Sequence, residues 1–256
     1  MIKKETVLFY ANGDDEKILL SHLYDNYVKA FTKNYNTYSD FFSEEKTTLI
    51  KTAFSTVTNL SFDTYGGYEG AERVISAFLA NESNKKYPVL CIEISGRGIS
   101  KLSHRDFLGA LMGLGIKREM VGDIVIGEKC YVFVKEEIAD YILLNLTKVG
   151  NLGVSVGLYN GKEIIKEERF EIISSTVESL WLDLIVARGF NIKRSDASKF
   201  ISQGKVLVSG REVLSNDYKV KQNDKITLKG KGKIVFLGEN GVSKKGKIII
   251  DIKRYI

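Results

Sequence analysis

The chain has 256 residues, a length that points to two or three domains and suffices for a buried core without metal or disulfide support. With 44% hydrophobic and 27% charged residues the composition excludes wholesale disorder; no long apolar run is present to span a membrane, and Met1-Ile2-Lys3-Lys4 is not followed by the apolar stretch of a signal peptide. The net charge of +6 is unevenly placed: residues 1–179 hold 21 basic and 25 acidic residues, net −4, whereas residues 180–256 hold 17 and 7, net +10. That asymmetry points to a polyanion-binding module on a nearly neutral body, although a solvated lysine-rich surface has the same composition.

Residues 1–84 read as a mainly helical domain. Leu19, Leu20, Leu23, Tyr24 and Tyr27 recur at three- and four-residue spacings, which predicts a helix across them. A second helix is expected from Glu44 through Phe54, with Ser43 as its N-cap. The aromatics between them, Phe31, Tyr35, Tyr38, Phe41 and Phe42, read as core or interface rather than as a base-stacking surface. Tyr65-Gly66-Gly67-Tyr68-Glu69-Gly70 permits a tight loop at positive φ, and a helix is expected over 71–79. The loop lacks the Gly-Lys-Ser/Thr of a phosphate loop, and Glu69 and Glu72 would repel an anion, so a structural turn is expected.

A polar stretch, 81–86, precedes the only proline, Pro88, and marks a domain boundary. Residues 85–160 then alternate as strand 89–95, a helix to 114 capped by Ser103 and Asp106, strands 123–126 and 129–135, helix 136–149 and strand 152–158. This β-α-β-β-α-β order is the ferredoxin-like arrangement shared by RRM domains. Tyr131 and Phe133 fall on one strand face where bases could stack. The RNP1 glycines are missing and the region is not basic, so core packing is the preferred reading. Cys91 and Cys130 lie in expected strands, far apart and without a C-x-x-C pattern; this argues against zinc or a disulfide and fits a reducing cytoplasm. The charged segment 162–170 reads as an edge strand or a linker.

Residues 178–256 form the basic module. An apolar helix, 180–188, is expected to end at Gly189, and Ser195 is expected to cap a second helix over 196–203. Ala197, Phe200 and Ile201 share its inner arc. The outer arc carries Ser195, Ser198, Lys199, Ser202 and Gln203 behind Lys193 and Arg194, a phosphate-binding surface by charge, hydroxyl content and helix dipole. A Ser209-Gly210 hairpin follows, then a strand 225–228, the Lys229-Gly230-Lys231-Gly232-Lys233 run, and a closing hairpin turning at Glu239-Asn240-Gly241.

This stretch resembles the S4 (αL-type) RNA-binding domain: Leu182-Asp183, Arg194-Ser195, Ser198-Lys199, Gly204-Lys205-Val206-Leu207-Val208-Ser209-Gly210 and 220–226 follow its pattern over about 50 residues. Two departures are Trp181, where the family commonly has Arg, and Ser209, where Asn usually precedes Gly. Gly66 to Arg73, Ser103 to Glu119 and Glu136 to Tyr141 are similar to the bacterial YlmH family, so the likeness runs over most of the chain. The resemblance implies a cytoplasmic, ribosome-associated RNA-binding protein with rRNA and tRNA as partners; a monomer is expected. It further implies a link to the rescue of stalled large subunits carrying peptidyl-tRNA and, by genomic company, to cell division.

The expected RNA-binding residues are Lys193, Arg194, Ser195, Ser198, Lys199, Ser202, Gln203, Lys205, Arg211, Lys231 and Lys233, with a second RNA or protein contact at His104, Arg105, Lys117 and Arg118. No catalytic residue, metal ligand or cofactor is expected. Asp183 lies inside the S4 helix, unlike the catalytic Asp of a pseudouridine synthase, and Gly96-Arg97-Gly98 does not complete a dinucleotide loop. An S4-containing RNA-modifying enzyme is the alternative. The overall expectation is an α+β protein: a helical N-terminal domain, an RRM-like middle domain and a C-terminal S4 domain.

Overall fold

Three acids in its first turn favour the dipole at the start of a 20-residue helix, and Asn34, left-handed at φ +52, closes it. The structure is a computed structural model describing residues 2–57, 59–161, 164 and 170–255, and it divides into two units, Met1–Lys166 and Glu167–Ile256. Of the charged segment expected as an edge strand or linker, all but Ile164 and Phe170 lie outside the described residues.

The first unit begins with α1 (Lys4–Leu8), the long α2 (Asp14–Lys33), β1 (Thr37–Phe42), α3 (Glu44–Ala53), β2 (Ser61–Tyr65) and β3 (Val74–Leu79). The three strands form an antiparallel sheet in the order β1-β3-β2. Leu20, Leu23 and Tyr27 of α2 are buried against Ile50, Phe54 and Phe78, so the spacing of that helix marks its inner face. Ser43 precedes α3 in extended conformation, without a side-chain cap bond. Phe41 is buried but Phe31 and Tyr35 are exposed. The helix expected over 71–79 is instead the strand β3. Val74 to Leu79 is a continuous apolar run broken only by Ser76, and such a run fits either a buried helix or a central strand. Its place between β1 and β2 decides for the strand.

The same unit continues with β4 (Val89–Ser95), α4 (His104–Gly113), β5 (Val121–Ile126), β6 (Cys130–Lys135), α5 (Glu136–Asn145), the short pair β7 (Lys148–Val149) and β8 (Leu152–Gly153), and β9 (Ser155–Leu158). The antiparallel sheet order β5-β6-β4-β9 is ferredoxin-like. Ile92, Ile94, Val132 and Val134 pack one sheet face on Phe107, Leu111, Ala139 and Ile142 of the two helices. The Ser103 N–H and hydroxyl both donate to Asp106, at 2.8 and 2.7 Å, which closes the start of α4. The helix expected to reach Val149 stops at Asn145, because Gly150, at φ +56, folds β7 back on β8.

The second unit holds β10 (Phe170–Val177), α6 (Leu182–Gly189), α7 (Arg194–Ser202), β11 (Val206–Val208), β12 (Arg211–Glu212), β13 (Lys225–Leu228), β14 (Gly232–Val242) and β15 (Ile248–Tyr255). Its six strands run in the order β10-β15-β14-β13-β11-β12. Leu182, Ile185, Ala197 and Ile201 of the helices bury against Val206, Ile226, Phe236 and Ile252. Gly189 belongs to α6 rather than capping it: a Cβ there would lie 2.3 Å from Ile234 Cδ1, so the glycine allows helix and sheet to meet. The turn expected at Glu239-Asn240-Gly241 lies within β14, where two register shifts absorb the glycines, and the chain reverses at 243–246.

Candidate nucleic-acid interface

Helix α7 starts two residues earlier than expected. Lys193, extended at ψ 145°, is its N-cap, and its carbonyl accepts from Asp196 and Ala197 N–H, both at 3.0 Å. Ser195 therefore lies inside the first turn and is not the cap. Ala197 and Ile201 are buried, and Ser195, Lys199 and Ser202 are exposed on the opposite arc, with Ser198 half-buried. The Ser202 hydroxyl donates back to the Lys199 carbonyl at 3.0 Å, and Gln203 is the C-cap.

Sheet register brings more lysines to the far end of the helix. Lys229 N–H donates to the Lys205 carbonyl at 2.9 Å, and the Lys229 ammonium reaches the Gly204 carbonyl at 3.1 Å. Lys231 N–H donates to Leu228, which pairs with Val206, and Lys205 Nζ lies 5.5 Å from the Phe200 ring. Lys205, Lys229 and Lys231 thus gather where α7 meets β11. Lys229 is absent from the expected set; its only signal was membership of the Lys-Gly run. Lys233 is half-buried on β14, opposite Thr227, and Arg211 is exposed opposite Val208. Both of these have partners within the chain. Lys193, Lys199 and Lys231 form no ion pair among the described residues.

Arg194 has a different role from its neighbours. Its Nε donates to Asp183 Oδ2 at 2.6 Å, and its guanidinium lies 6.0 Å from the centre of the Trp181 ring. Asp183 is buried, and its second oxygen has no hydrogen-bond partner among the described residues. Removing Arg194 would leave an uncompensated buried carboxylate, so the residue supports the S4 unit as well as facing outward. The Asp of the Leu182-Asp183 motif is therefore what holds Arg194 at the helix start.

The expected second contact does not assemble. His104 and Arg105 open α4, whereas Lys117 and Arg118 lie beyond its other end, about 15 Å away for ten residues of helix. His104, Arg105 and Lys117 are exposed. Arg118 is half-buried and donates to the carbonyls of Val121, at 2.5 Å, and Gly122, at 3.3 Å. Its cation serves the first two carbonyls of β5, and desolvation lowers its pKa.

The helix-free face of the middle sheet is also occupied. Phe133 stacks on Tyr68 at 4.8 Å, and Tyr131 meets Tyr159 edge-on, also at 4.8 Å. Gly67, at φ +103, approaches so closely that a Cβ would lie 2.1 Å from the Phe133 ring. Asp123 accepts from the Tyr68 hydroxyl at 2.7 Å and from the N–H groups of Glu72 and Arg73 at 2.7 and 3.1 Å. Arg73 in turn donates to the carbonyls of Val121 and Phe41, both at 3.0 Å. The Gly-rich loop is thus the structural turn expected, closing the sheet at Phe133. Burial raises the thiols of Cys91 and Cys130 to about 12, so both are protonated at neutral pH. Among the described residues no group of His, Cys, Asp and Glu could hold a metal ion, and no helix is long and apolar enough to cross a membrane.

Comparison with known proteins matches residues 83–163 to a family described as a putative RNA-binding domain in YlmH and residues 180–226 to the S4 domain. The chain is 30% identical over 196 residues to the ribosome-associated protein quality control protein P2 of Bacillus subtilis, covering 74% of this chain and 76% of the relative. This chain belongs to the YlmH family. A solved structure of the cell division protein YlmH from Streptococcus pneumoniae shares the fold, with a TM-score of 0.50 and 17% identity over 58% of this chain and 93% of that one. The YlmH match covers the β5-β6-β4-β9 sheet with α4 and α5, and the S4 match covers α6, α7 and the strands through Ile226, so the α7 surface lies within the S4 match.

Proposed function

We propose that this chain is an RNA-binding protein with no chemistry of its own, working as a monomer on the ribosome through the outer face of α7. The observation that carries this reading is the set Lys193, Lys199 and Lys231, exposed and without ion pairs among the described residues, in a region of net charge +10. Ser195, Ser198, Gln203 and Lys205 add donors along the same surface, Ser202 and Lys229 lie among them with their polar ends already on the Lys199 and Gly204 carbonyls, and Arg211 and Lys233 flank it on the sheet. Uncompensated lysines at the start, along the outer arc and beyond the far end of one helix bind phosphate oxygens without reading base identity, which suits folded rRNA and tRNA. The name of the Bacillus subtilis relative supports a ribosome-linked role in quality control; a place on stalled large subunits carrying peptidyl-tRNA, in the cytoplasm, and a translation-linked role in division are the finer parts of this proposal. The three-part division at residues 1–84, 85–160 and 178–256 belongs to this reading, with the acidic two-thirds positioning the grip. A second contact is assigned to His104 and Arg105 at the start of α4, with Lys117 acting separately.

Co-sedimentation with large ribosomal subunits at rising salt tests the reading. Wild type should pellet with subunits at low salt, and the K193A/K199A/K231A protein should lose most of that association. Equal pelleting of the two proteins at every salt concentration would move the interface elsewhere. These lysines are better test positions than Arg194, whose loss also strips Asp183 of its partner.

A further inference from the structure

Trp181 is the only tryptophan of the chain, and it is 44% exposed at the N-cap of α6. It occupies a specific setting. On one side the Arg194 guanidinium lies 6.0 Å from its ring centre, held there by the 2.6 Å bond to buried Asp183. On the other, Trp181 forms an isolated antiparallel bridge with Lys219, so the two side chains leave the backbone on the same side. Beyond Lys219 opens a cavity of about 500 Å³, with Lys219 and Lys221 in its lining. Lys219 and Lys221 are exposed and form no ion pair among the described residues. An indole fixed against a cation, with unpaired lysines beside it, is the combination that stacks a nucleobase while its phosphates are neutralised. An arginine at this position would add a cation and contact the backbone alone.

We infer that Trp181 is a base-stacking platform: it takes one unpaired RNA base, a bulged or splayed-out nucleotide, onto its ring, while Lys219 and Lys221 hold the flanking phosphates and Arg194 braces the indole. The inference rests on the reading of the S4 unit as an RNA-binding surface and adds a sequence-independent preference for an unpaired nucleotide next to the helical backbone. Stacking of this kind tolerates any base, because each presents a π face.

The full-length protein carries its own probe, since Trp181 is the sole source of tryptophan emission. It is titrated with an RNA hairpin bearing a single-nucleotide bulge and with the same hairpin fully paired. The expected result is saturable quenching by the bulged hairpin and little change with the paired one. W181A should bind the bulged hairpin about 10-fold more weakly and the paired one unchanged, W181F should keep most of the preference, and the salt dependence should stay as in wild type. W181R should steepen the salt dependence and abolish the preference. If both hairpins bind and the emission does not change, or if W181A keeps the preference, the platform is refuted while the RNA-binding surface stands. If quenching is equal with both hairpins, Trp181 reports charge alone and the platform is likewise refuted. If neither hairpin binds at any salt concentration, the RNA-binding reading fails and the platform with it. Because the emission test uses the unaltered protein, it holds even if W181A folds poorly.

Discussion

The helix-free face of the β5-β6-β4-β9 sheet and the outer face of α7 are the two surfaces on which RNA could lie, and the chain treats them in opposite ways. On the sheet, the aromatics suited to stacking are spent internally: Phe133 on Tyr68, Tyr131 on Tyr159. The cations there are paired as well, Lys135 with Asp40 at 2.8 Å and Lys129 with Glu93 at 2.7 Å. On α7, few aromatics are present, and Lys193 and Lys199 form no ion pair among the described residues. Polar and aromatic groups that satisfy one another inside a fold are no longer available to a ligand, whereas a lysine left without a partner is held ready for phosphate at no cost in a broken ion pair. An RRM-like topology therefore does not by itself supply an RRM-like surface.

The largest effect is expected at Gly67, where the sheet face is closed. Gly67→Ala combines a 2.1 Å clash with Phe133 and a positive φ that L side chains rarely adopt. It should cost about 4 kcal/mol in chemical denaturation of the intact protein; a loss below 1 kcal/mol would show that the sheet face is not closed there. Asp123→Ala removes the acceptor shared by Tyr68, Glu72 and Arg73 and should cost about 3 kcal/mol. It should also speed alkylation of Cys91, whose thiol is held up at about 12 by burial. For that thiol the sign follows from burial: the folded state keeps its proton as the pH rises above the ordinary thiol value of 9.0, so this contribution to stability is lost between about 9 and 12. In both variants RNA binding through the other unit should persist.

On the α7 side, K193A/K199A/K231A should weaken RNA binding about 10- to 100-fold near physiological salt and flatten the slope of log K against log salt by about 2 to 3. K129A, in the closed region, should leave both quantities unchanged. The smallest effect is expected at the hairpin. Ser209 sits at φ +48 before Gly210 at φ +80, a turn in which Asn is at ease and Ser is not. Ser209→Asn should raise stability by about 0.5 kcal/mol with RNA affinity unchanged, read from the same denaturation curves.

Much of this was legible in the sequence because it rests on local rules. The spacing of Leu20, Leu23 and Tyr27 marks the inner face of α2, the Ser103 and Asp106 pair marks the start of α4, and the order of elements through 85–160 marks the ferredoxin-like sheet. Other features were not, because they depend on what arrives from far along the chain. Val74 to Leu79 is a strand since β1 and β2 flank it. Lys229 joins Lys205 through sheet register across more than twenty residues.

The sequence alone determined where the positive charge lies, which residues line the arc of α7, and that the S4 pattern spans both. Charge and helical periodicity are properties of neighbouring residues, and they survive without knowledge of the fold. Only the tertiary structure decided which cations remain available. It sets Arg194 against buried Asp183, sends Arg118 into backbone carbonyls, and leaves Lys193, Lys199 and Lys231 outward. It also decided that Phe133 faces Tyr68 and that Trp181 stands open beside Arg194. Availability is set by the partner a side chain meets across the fold, which packing alone assigns.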